Sequence, residues 1–137
     1  MGAEIRPETV LIVDDDDDLR DLTDLIVTRG GYQTTLAKNP ASAISIIRDN
    51  PGLGFLLTEL HMPGAEFDGI ELARQAKVIQ PSIHTVLLSL VEITSVHRMR
   101  FPGAVDTSLD KFEIAGRLLP EMEALRGPNV STAMSHS

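Results

Sequence analysis

Runs of apolar residues alternate with stretches of helical periodicity along the chain. The run Val10-Leu-Ile-Val is apolar and rich in β-branched residues, which is typical of a strand buried on both faces. An apolar stripe at helical spacing follows over residues 19–26, and the pair Gly30-Gly31 ends that helix. The same alternation predicts strands over residues 32–37, 53–58, 85–90 and 104–109, and helices over residues 40–48, 70–79, 91–99 and 112–126.

Five strands that alternate with five helices predict an α/β fold with a parallel sheet covered on both faces, because each parallel return needs a crossover. Pro120 lies inside the last helical pattern and predicts a kink there. We expect residues 1–8 to be an N-terminal extension and residues 9–126 to be one domain. Residues 127–137 are small and polar, which predicts a flexible tail or linker.

The composition narrows the class of protein. A length of 137 residues fits one domain, and the absence of cysteine excludes disulfides and thiolate metal sites. A formal net charge of -8 argues against a nucleic-acid surface. No apolar run approaches membrane-spanning length, and the first residues do not form a signal peptide. We therefore expect a cytoplasmic protein that binds neither nucleic acid nor membrane.

The first strand stops in five consecutive aspartates, residues 14–18. Acids that open a helix commonly complement its dipole, and we assign Asp17 and Asp18 to that role. Asp14 and Asp15 lie closer to the strand, at the edge of the sheet where ligands of α/β proteins bind. Because adjacent carboxylates repel, this pair requires a cation or an amine as counter-charge, and for a metal ion hard oxygen ligands favour Mg²⁺.

Polar residues also end three other predicted strands. Glu59 follows the third strand, Ser89 ends the fourth and Lys111 follows the fifth. Taken singly, Glu59 and Lys111 are explained as rim charges and Ser89 as a hydroxyl that bonds to the backbone. In a parallel sheet these ends share one edge, so we expect them to form a compact polar group with Asp14 and Asp15.

Four motifs follow one another along the chain. They are Val10-Leu-Ile-Val-Asp-Asp, Leu57-Thr-Glu-Leu-His-Met-Pro-Gly, Val86-Leu-Leu-Ser and Gly103-Ala-Val-Asp-Thr-Ser-Leu-Asp-Lys111. In these motifs and in their order the chain resembles response-regulator receiver domains over residues 9–125. The resemblance implies a flavodoxin-like fold with strand order 2-1-3-4-5.

The resemblance also implies roles for the polar strand ends. In this family a third-strand aspartate accepts a phosphoryl group from the phosphohistidine of a histidine kinase or phosphotransfer protein, with Mg²⁺ organising the transfer. By motif, Asp14 and Asp15 match the acidic pair that holds the metal, and Ser89 and Lys111 match the residues that bind phosphoryl oxygens. The implied metal ligands are Asp14, Asp15, Glu59 and the backbone carbonyl of His61.

Glu59 matches the phosphoacceptor position but is not the family's aspartate. The extra methylene displaces the carboxylate by about 1.5 Å on an unchanged backbone. Phosphoryl transfer depends on in-line positioning, and a misplacement of about 1 Å can cost a hundredfold in rate. We therefore expect little or no phosphorylation at Glu59. Its carboxylate should instead reach toward Lys111 and Ser89, where one charge imitates part of the effect of a phosphoryl group.

Three further residues or segments depart from the family pattern. Phe112 replaces the proline that usually follows the lysine, which predicts a trans bond and a displaced Lys111. Ser108 replaces an aromatic residue that changes rotamer on activation. The loop of residues 62–69 is two residues longer than usual. The serine places the usual coupling between the site and the output face in doubt, and the longer loop alters the rim of the pocket.

We consider three functions from these observations. The first is an atypical receiver, a non-enzymatic interaction module for a histidine kinase, a phosphotransfer protein or a downstream signalling protein, with its partner face on the fourth helix, fifth strand and fifth helix. The second is a conventional Mg²⁺-dependent phosphoacceptor. The third is a haloacid-dehalogenase-type phosphatase that would use Asp14 and Asp16, although Asp18 does not fit that motif. Homodimer formation is left open.

Overall fold

Strands and helices alternate throughout residues 8–90 and 95–127, the part of the chain that the computed structural model describes. The strands are β1 (Thr9–Val13), β2 (Gln33–Ala37), β3 (Leu53–Glu59), β4 (His84–Ser89) and β5 (Thr107–Asp110). The helices are α1 (Asp17–Arg29), α2 (Pro40–Asp49), α3 (Gly69–Ile79), α4 (Ser95–Arg100) and α5 (Ile114–Arg126), with a 3₁₀ turn at Lys111–Glu113. The predicted extension, apart from Glu8, and the predicted tail after Gly127 lie outside the described residues.

The five strands form one parallel sheet in the order β2-β1-β3-β4-β5, which confirms the predicted fold. In the register of the sheet, Val13 lies beside Ala37 on one side and Thr58 on the other. Between β4 and β5, on the other side of β3, Ser89 lies beside Asp110. All strand ends that carry the polar residues therefore meet at one edge.

Two apolar layers cover the sheet, one on each face. Leu11 and Leu56 pack on the side of α2 and α3, whereas Ile12 and Leu57 pack on the side of α1 and α5. Successive side chains of a strand point to opposite faces of the sheet, so in β1 and β3 the side chains on both faces are buried. This explains the uninterrupted apolar patterns of the central strands.

Several boundaries differ from the predictions. The prediction that the fifth strand begins at residue 104 is wrong, since β5 begins at Thr107. Ala104 instead closes a turn with Phe101, and the carboxylate of Asp106 accepts a hydrogen bond from the backbone N–H of Thr85 at 2.8 Å. The helix predicted over residues 91–99 is observed as α4, and its first four predicted residues lie outside the described part of the chain.

The last helix begins later than predicted and continues past its proline. The carboxylate of Asp110 accepts a hydrogen bond from Phe112 N at 2.8 Å and caps a single 3₁₀ turn, so α5 starts only at Ile114. Pro120 lies inside α5 and does not end it. None of the helices in the described part of the chain combines the length and apolar character needed to cross a bilayer.

Candidate functional site

Four of the polar residues singled out in the sequence are buried at the carboxyl edge of the sheet. Asp14 directly follows β1, Glu59 and Ser89 are the last residues of β3 and β4, and Lys111 directly follows β5. Their exposed fractions are 4% for Asp14, 8% for Glu59, 1% for Ser89 and 6% for Lys111. Burial of three ionisable groups at one edge requires that they compensate each other.

Lys111 supplies that compensation by bridging two carboxylates from different strands. Its Nζ lies 2.7 Å from Oδ2 of Asp14 and 3.0 Å from Oε1 of Glu59. The lysine side chain is only 2% exposed, so both ion pairs are shielded from water. Every peptide bond of the described residues is trans, including the bond to Phe112, and Lys111 nevertheless reaches both acids.

Backbone groups orient the two carboxylates. Asp14 Oδ1 accepts a hydrogen bond from Asp16 N at 3.0 Å, and Glu59 Oε2 accepts one from Leu60 N at 2.6 Å. Each carboxylate therefore has one oxygen on the Lys111 ammonium and the other on a backbone N–H. Such charge-assisted bonds are stronger than neutral ones and fix the rotamers of both acids.

A buried arginine holds the loop that carries Asp14. Nη1 of Arg20 donates a hydrogen bond to the backbone carbonyl of Asp14 at 2.8 Å, and Nη2 donates one to the carboxylate of Asp17 at 2.6 Å. The sequence pattern did not indicate this role for Arg20. The spacing of Asp17 and Arg20 within one helical turn signals their ion pair, but the carbonyl contact depends on how the chain enters α1.

Burial and ion pairing act on the pKa values of the site in opposite directions. For Glu59, burial raises the pKa, and the hydrogen bond and positive charge of Lys111 offset this only in part. For Lys111, burial lowers the pKa, but the hydrogen bonds and charges of Asp14 and Glu59 outweigh it and leave the pKa raised. The site therefore favours the charged form of Lys111 and disfavours the charged form of Glu59.

The raised pKa of Glu59 predicts a particular dependence of stability on pH. Because the folded state binds this proton more tightly than the unfolded chain, the contribution of Glu59 to stability is largest below the unfolded value of about 4.5. It is lost as the pH rises through the folded-state pKa. We therefore expect the free energy of unfolding of the wild type, relative to Glu59→Gln, to fall as the pH rises above about 4.5 in urea titrations.

The matched control is Glu71→Gln, whose difference from the wild type should change in the opposite sense. The hydrogen bond from Arg74 lowers the pKa of Glu71, so its stabilising effect is lost on acidification. Equal slopes for the two variants would contradict the assignment of a buried, proton-favouring Glu59.

Two of the predicted metal ligands, Asp15 and His61, are exposed, whereas Asp14 and Glu59 are buried. Within residues 8–90 and 95–127, no group of three or more histidine, aspartate and glutamate side chains is arranged to hold a metal ion. The carboxylates suit Mg²⁺ in type, but the side-chain oxygens of Asp14 and Glu59 already accept bonds from Lys111 or the backbone. A divalent cation at this edge would share these carboxylate oxygens with Lys111 and the backbone, and its binding stays a prediction.

Hydrogen bonds connect the loop that follows β3 to α3 and α4. Asp68 accepts hydrogen bonds from the backbone N–H groups of Ile70 and Glu71 and so caps α3. The same carboxylate accepts hydrogen bonds from both terminal nitrogens of Arg100, the last residue of α4, at 2.8 Å each. The sequence analysis did not single out Asp68, although an aspartate before Gly69 and an apolar periodic run is a recognisable N-cap signal.

Comparison with known proteins identifies related sequences. The family model described as "Response regulator receiver domain" matches residues 10–113. Sporulation initiation phosphotransferase F of Bacillus subtilis is 31% identical over 109 residues, which cover 78% of this chain and 85% of that protein. Response regulator receiver protein CpdR of Brucella abortus is 36% identical over 80 residues, which cover 58% of this chain and 64% of CpdR, slightly under two thirds of its length.

Solved structures share the fold at low sequence identity. A CheY-like receiver domain protein from Methanospirillum hungatei has a TM-score of 0.73 at 18% identity, covering 90% of this chain and all of that chain. TrrA from Thermotoga maritima, solved in complex with Mg(2+)-BeF, has a TM-score of 0.72 at 22% identity, covering 86% of this chain and 98% of that chain.

Proposed function

The chain belongs to the response regulator receiver family, and on that premise we propose that it is a signalling interaction module that works without an aspartyl phosphate. The observation that carries the proposal is the bonding of the Glu59 carboxylate, with Lys111 Nζ at 3.0 Å and Leu60 N at 2.6 Å. Receiver domains are generally signalling modules rather than enzymes.

In this proposal Glu59 stands at the phosphoacceptor position. An acceptor must present a carboxylate oxygen in line with the incoming phosphorus, and transfer is sensitive to placement on the scale of about 1 Å. Both oxygens of Glu59 are engaged and its side chain is one methylene longer than that of aspartate. The negative charge of Glu59 beside Lys111 imitates part of the charge of a phosphoryl group, but the carboxylate has fewer acceptor oxygens. The domain is thereby held close to one conformation or is switched by another signal.

The proposed partners are proteins of a two-component pathway. Receiver domains interact with histidine kinases or phosphotransfer proteins, and one structural relative is the receiver domain of the hybrid histidine kinase CckA. For this chain we propose a kinase, a phosphotransfer protein or a downstream signalling protein, which would bind the face formed by α4, β5 and α5. We place this activity in the cytoplasm, without nucleic acid or membrane as a ligand.

Restoring the acceptor tests the proposal. With acetyl phosphate and Mg²⁺, the wild type should form no stable adduct, whereas Glu59→Asp should be phosphorylated at least about a hundredfold faster, because the shorter side chain brings the carboxylate back into line. Intact-protein mass spectrometry measures the adduct, and Glu66→Asp, in an exposed part of the following loop, is the matched control. A phosphoryl adduct mapped to Glu59 in the wild type would overturn the proposal.

A conventional Mg²⁺-dependent phosphoacceptor is the second candidate. Receiver domains typically bind Mg²⁺, and the adjacent aspartates Asp14 and Asp15 favour this function. A titration with Mg²⁺, followed by the NMR signals of the backbone N–H groups of Asp16 and Leu60, which bond to the two carboxylates, compares the wild type with Asp15→Ala. Saturable binding that the substitution abolishes would support the second candidate, and flat responses in both proteins would exclude it.

A further inference from the structure

A hollow of about 480 Å³ lies between α4 and the sheet, and none of the described residues that line it belongs to the Glu59 site. Ile70 of α3, Leu87 of β4, and Phe101 and Val105 from the segment between α4 and β5 supply its apolar lining. Pockets that hold small organic ligands have volumes of about 300 to 1,000 Å³ and mostly apolar walls. The hollow has the size of a small-molecule site, and its walls combine these apolar side chains with polar surface from residues such as Asp106 and Ser108.

The small side chain of Ser108 contributes to this space. Along β5, Thr107 bonds to Glu121 of α5 at 3.1 Å, so its side chain lies on the α5 face. The next side chain, that of Ser108, lies on the other face, beside Leu87 in the register of the sheet, and lines the hollow. A larger residue at position 108 would occupy part of the volume.

The charged groups around the hollow are compensated within the fold. The carboxylate of Asp106 accepts hydrogen bonds from Lys77 Nζ and from Thr85 N, both at 2.8 Å. The guanidinium groups of Arg74 and Arg100 lie over the ring of Phe101, at 5.2 and 5.3 Å from its centre. They pair with Glu71 and Asp68, respectively. Among these groups a charged ligand would meet no unpaired counter-ion, and burying its charge would cost affinity. His97 of α4 also lines the hollow and has an interaction partner within the fold.

We propose that this hollow binds a small neutral aromatic molecule. The apolar side chains in the lining favour contact with a flat ring, and the ring of Phe101 offers the edge-to-face or offset contact that aromatic pairs prefer. The Asp106 carboxylate at the rim suits a ligand with one N–H or O–H donor. This function goes beyond the interaction module proposed above and does not depend on Glu59.

Indole is a suitable probe, because it combines a flat apolar body with a single N–H donor. In a titration followed by methyl NMR, the methyl signals of Ile70 and Leu87 should shift saturably, with a Kd of about 1 mM or tighter for a ligand of this size. Indole-3-acetate and tryptamine, which carry opposite charges, should bind at least about tenfold more weakly. Binding of either charged compound as tight as that of indole would overturn the requirement for a neutral ligand.

Filling the hollow should abolish binding. Ser108→Phe and Val105→Phe introduce a ring from two different walls, so one variant remains informative if the other fails to fold. Ser82→Phe, on an exposed turn, is the matched control and should bind indole as the wild type does. The proposal is overturned if the wild type shows no saturable shift up to the solubility of indole, or if the folded filled variants bind it unchanged. The titration uses neither phosphodonor nor metal, so its failure leaves the proposed signalling function untouched.

Discussion

Replacing Lys111 with methionine is expected to lower the free energy of unfolding by about 3 to 5 kcal/mol, because it removes the ammonium that forms ion pairs with both Asp14 and Glu59. Methionine keeps most of the length and apolar surface of the lysine stem, so the loss reports on the ammonium. Two buried carboxylates would then face each other without a counter-charge. Urea denaturation at neutral pH, followed by circular dichroism, measures the change.

The cost of Lys111→Met should shrink on acidification, since protonated carboxyl groups need no counter-ion. Lys77→Met is the matched control. Lys77 also pairs with an aspartate, Asp106, at 2.8 Å, but the two side chains are 25% and 27% exposed. A partly solvated pair contributes about 1 kcal/mol or less. Equal costs for the two substitutions would show that burial does not strengthen the dependence of the site on Lys111.

The sheet and its polar edge could be predicted because they follow from local patterns. Apolar runs such as Val10 to Val13 identify central strands, and the parallel arrangement brings the residues after them to one edge. The sequence therefore indicates that Asp14, Glu59, Ser89 and Lys111 come close together. The family match extends this inference to nearly the whole domain.

The ion pair between Lys111 and Asp14 could not be predicted from the pattern. The sequence required a cation or an amine as counter-charge for Asp14 and Asp15 and brought Glu59 within reach of Lys111, but it did not pair Lys111 with Asp14, 97 positions away. That pairing depends on the rotamer of a long side chain and on the 3₁₀ turn in which Lys111 lies. Asp15 is exposed and directly precedes Asp16, whose carboxylate caps α1.

The start of β5 was mispredicted for a related reason. Residues 104–109 contain strand-forming residues, but Gly103 has a positive φ of 84° and Asp106 binds backbone and side chain of Thr85. These contacts hold the preceding segment in a turn over the edge of β4. Long-range hydrogen bonds of this kind leave no periodic signal in the sequence.

The substitution Gly69→Ala is expected to lower the free energy of unfolding by about 3 kcal/mol or more, because there is no room for a side chain at the start of α3. An added Cβ would overlap the carbonyl oxygen of Glu59 and lie 2.9 Å from its carbonyl carbon. These are backbone atoms and cannot rotate away. The N–H of Gly69 also donates to the Leu60 carbonyl at 2.8 Å, which holds the two segments together. Thermal and urea denaturation measure the loss.

Gly116→Ala is the matched control, since an added Cβ there meets nothing within 4 Å and alanine favours the helical conformation of α5. It should stabilise the protein by about 0.5 to 1 kcal/mol. Gly30→Ala should fall between the two, because its Cβ meets only the flexible end of Leu119. If Gly69→Ala unfolded like the wild type, the end of β3 would be free to shift. The fold would then not fix the Glu59 carboxylate against Lys111, and the geometric basis of an acceptor that cannot be phosphorylated would be lost.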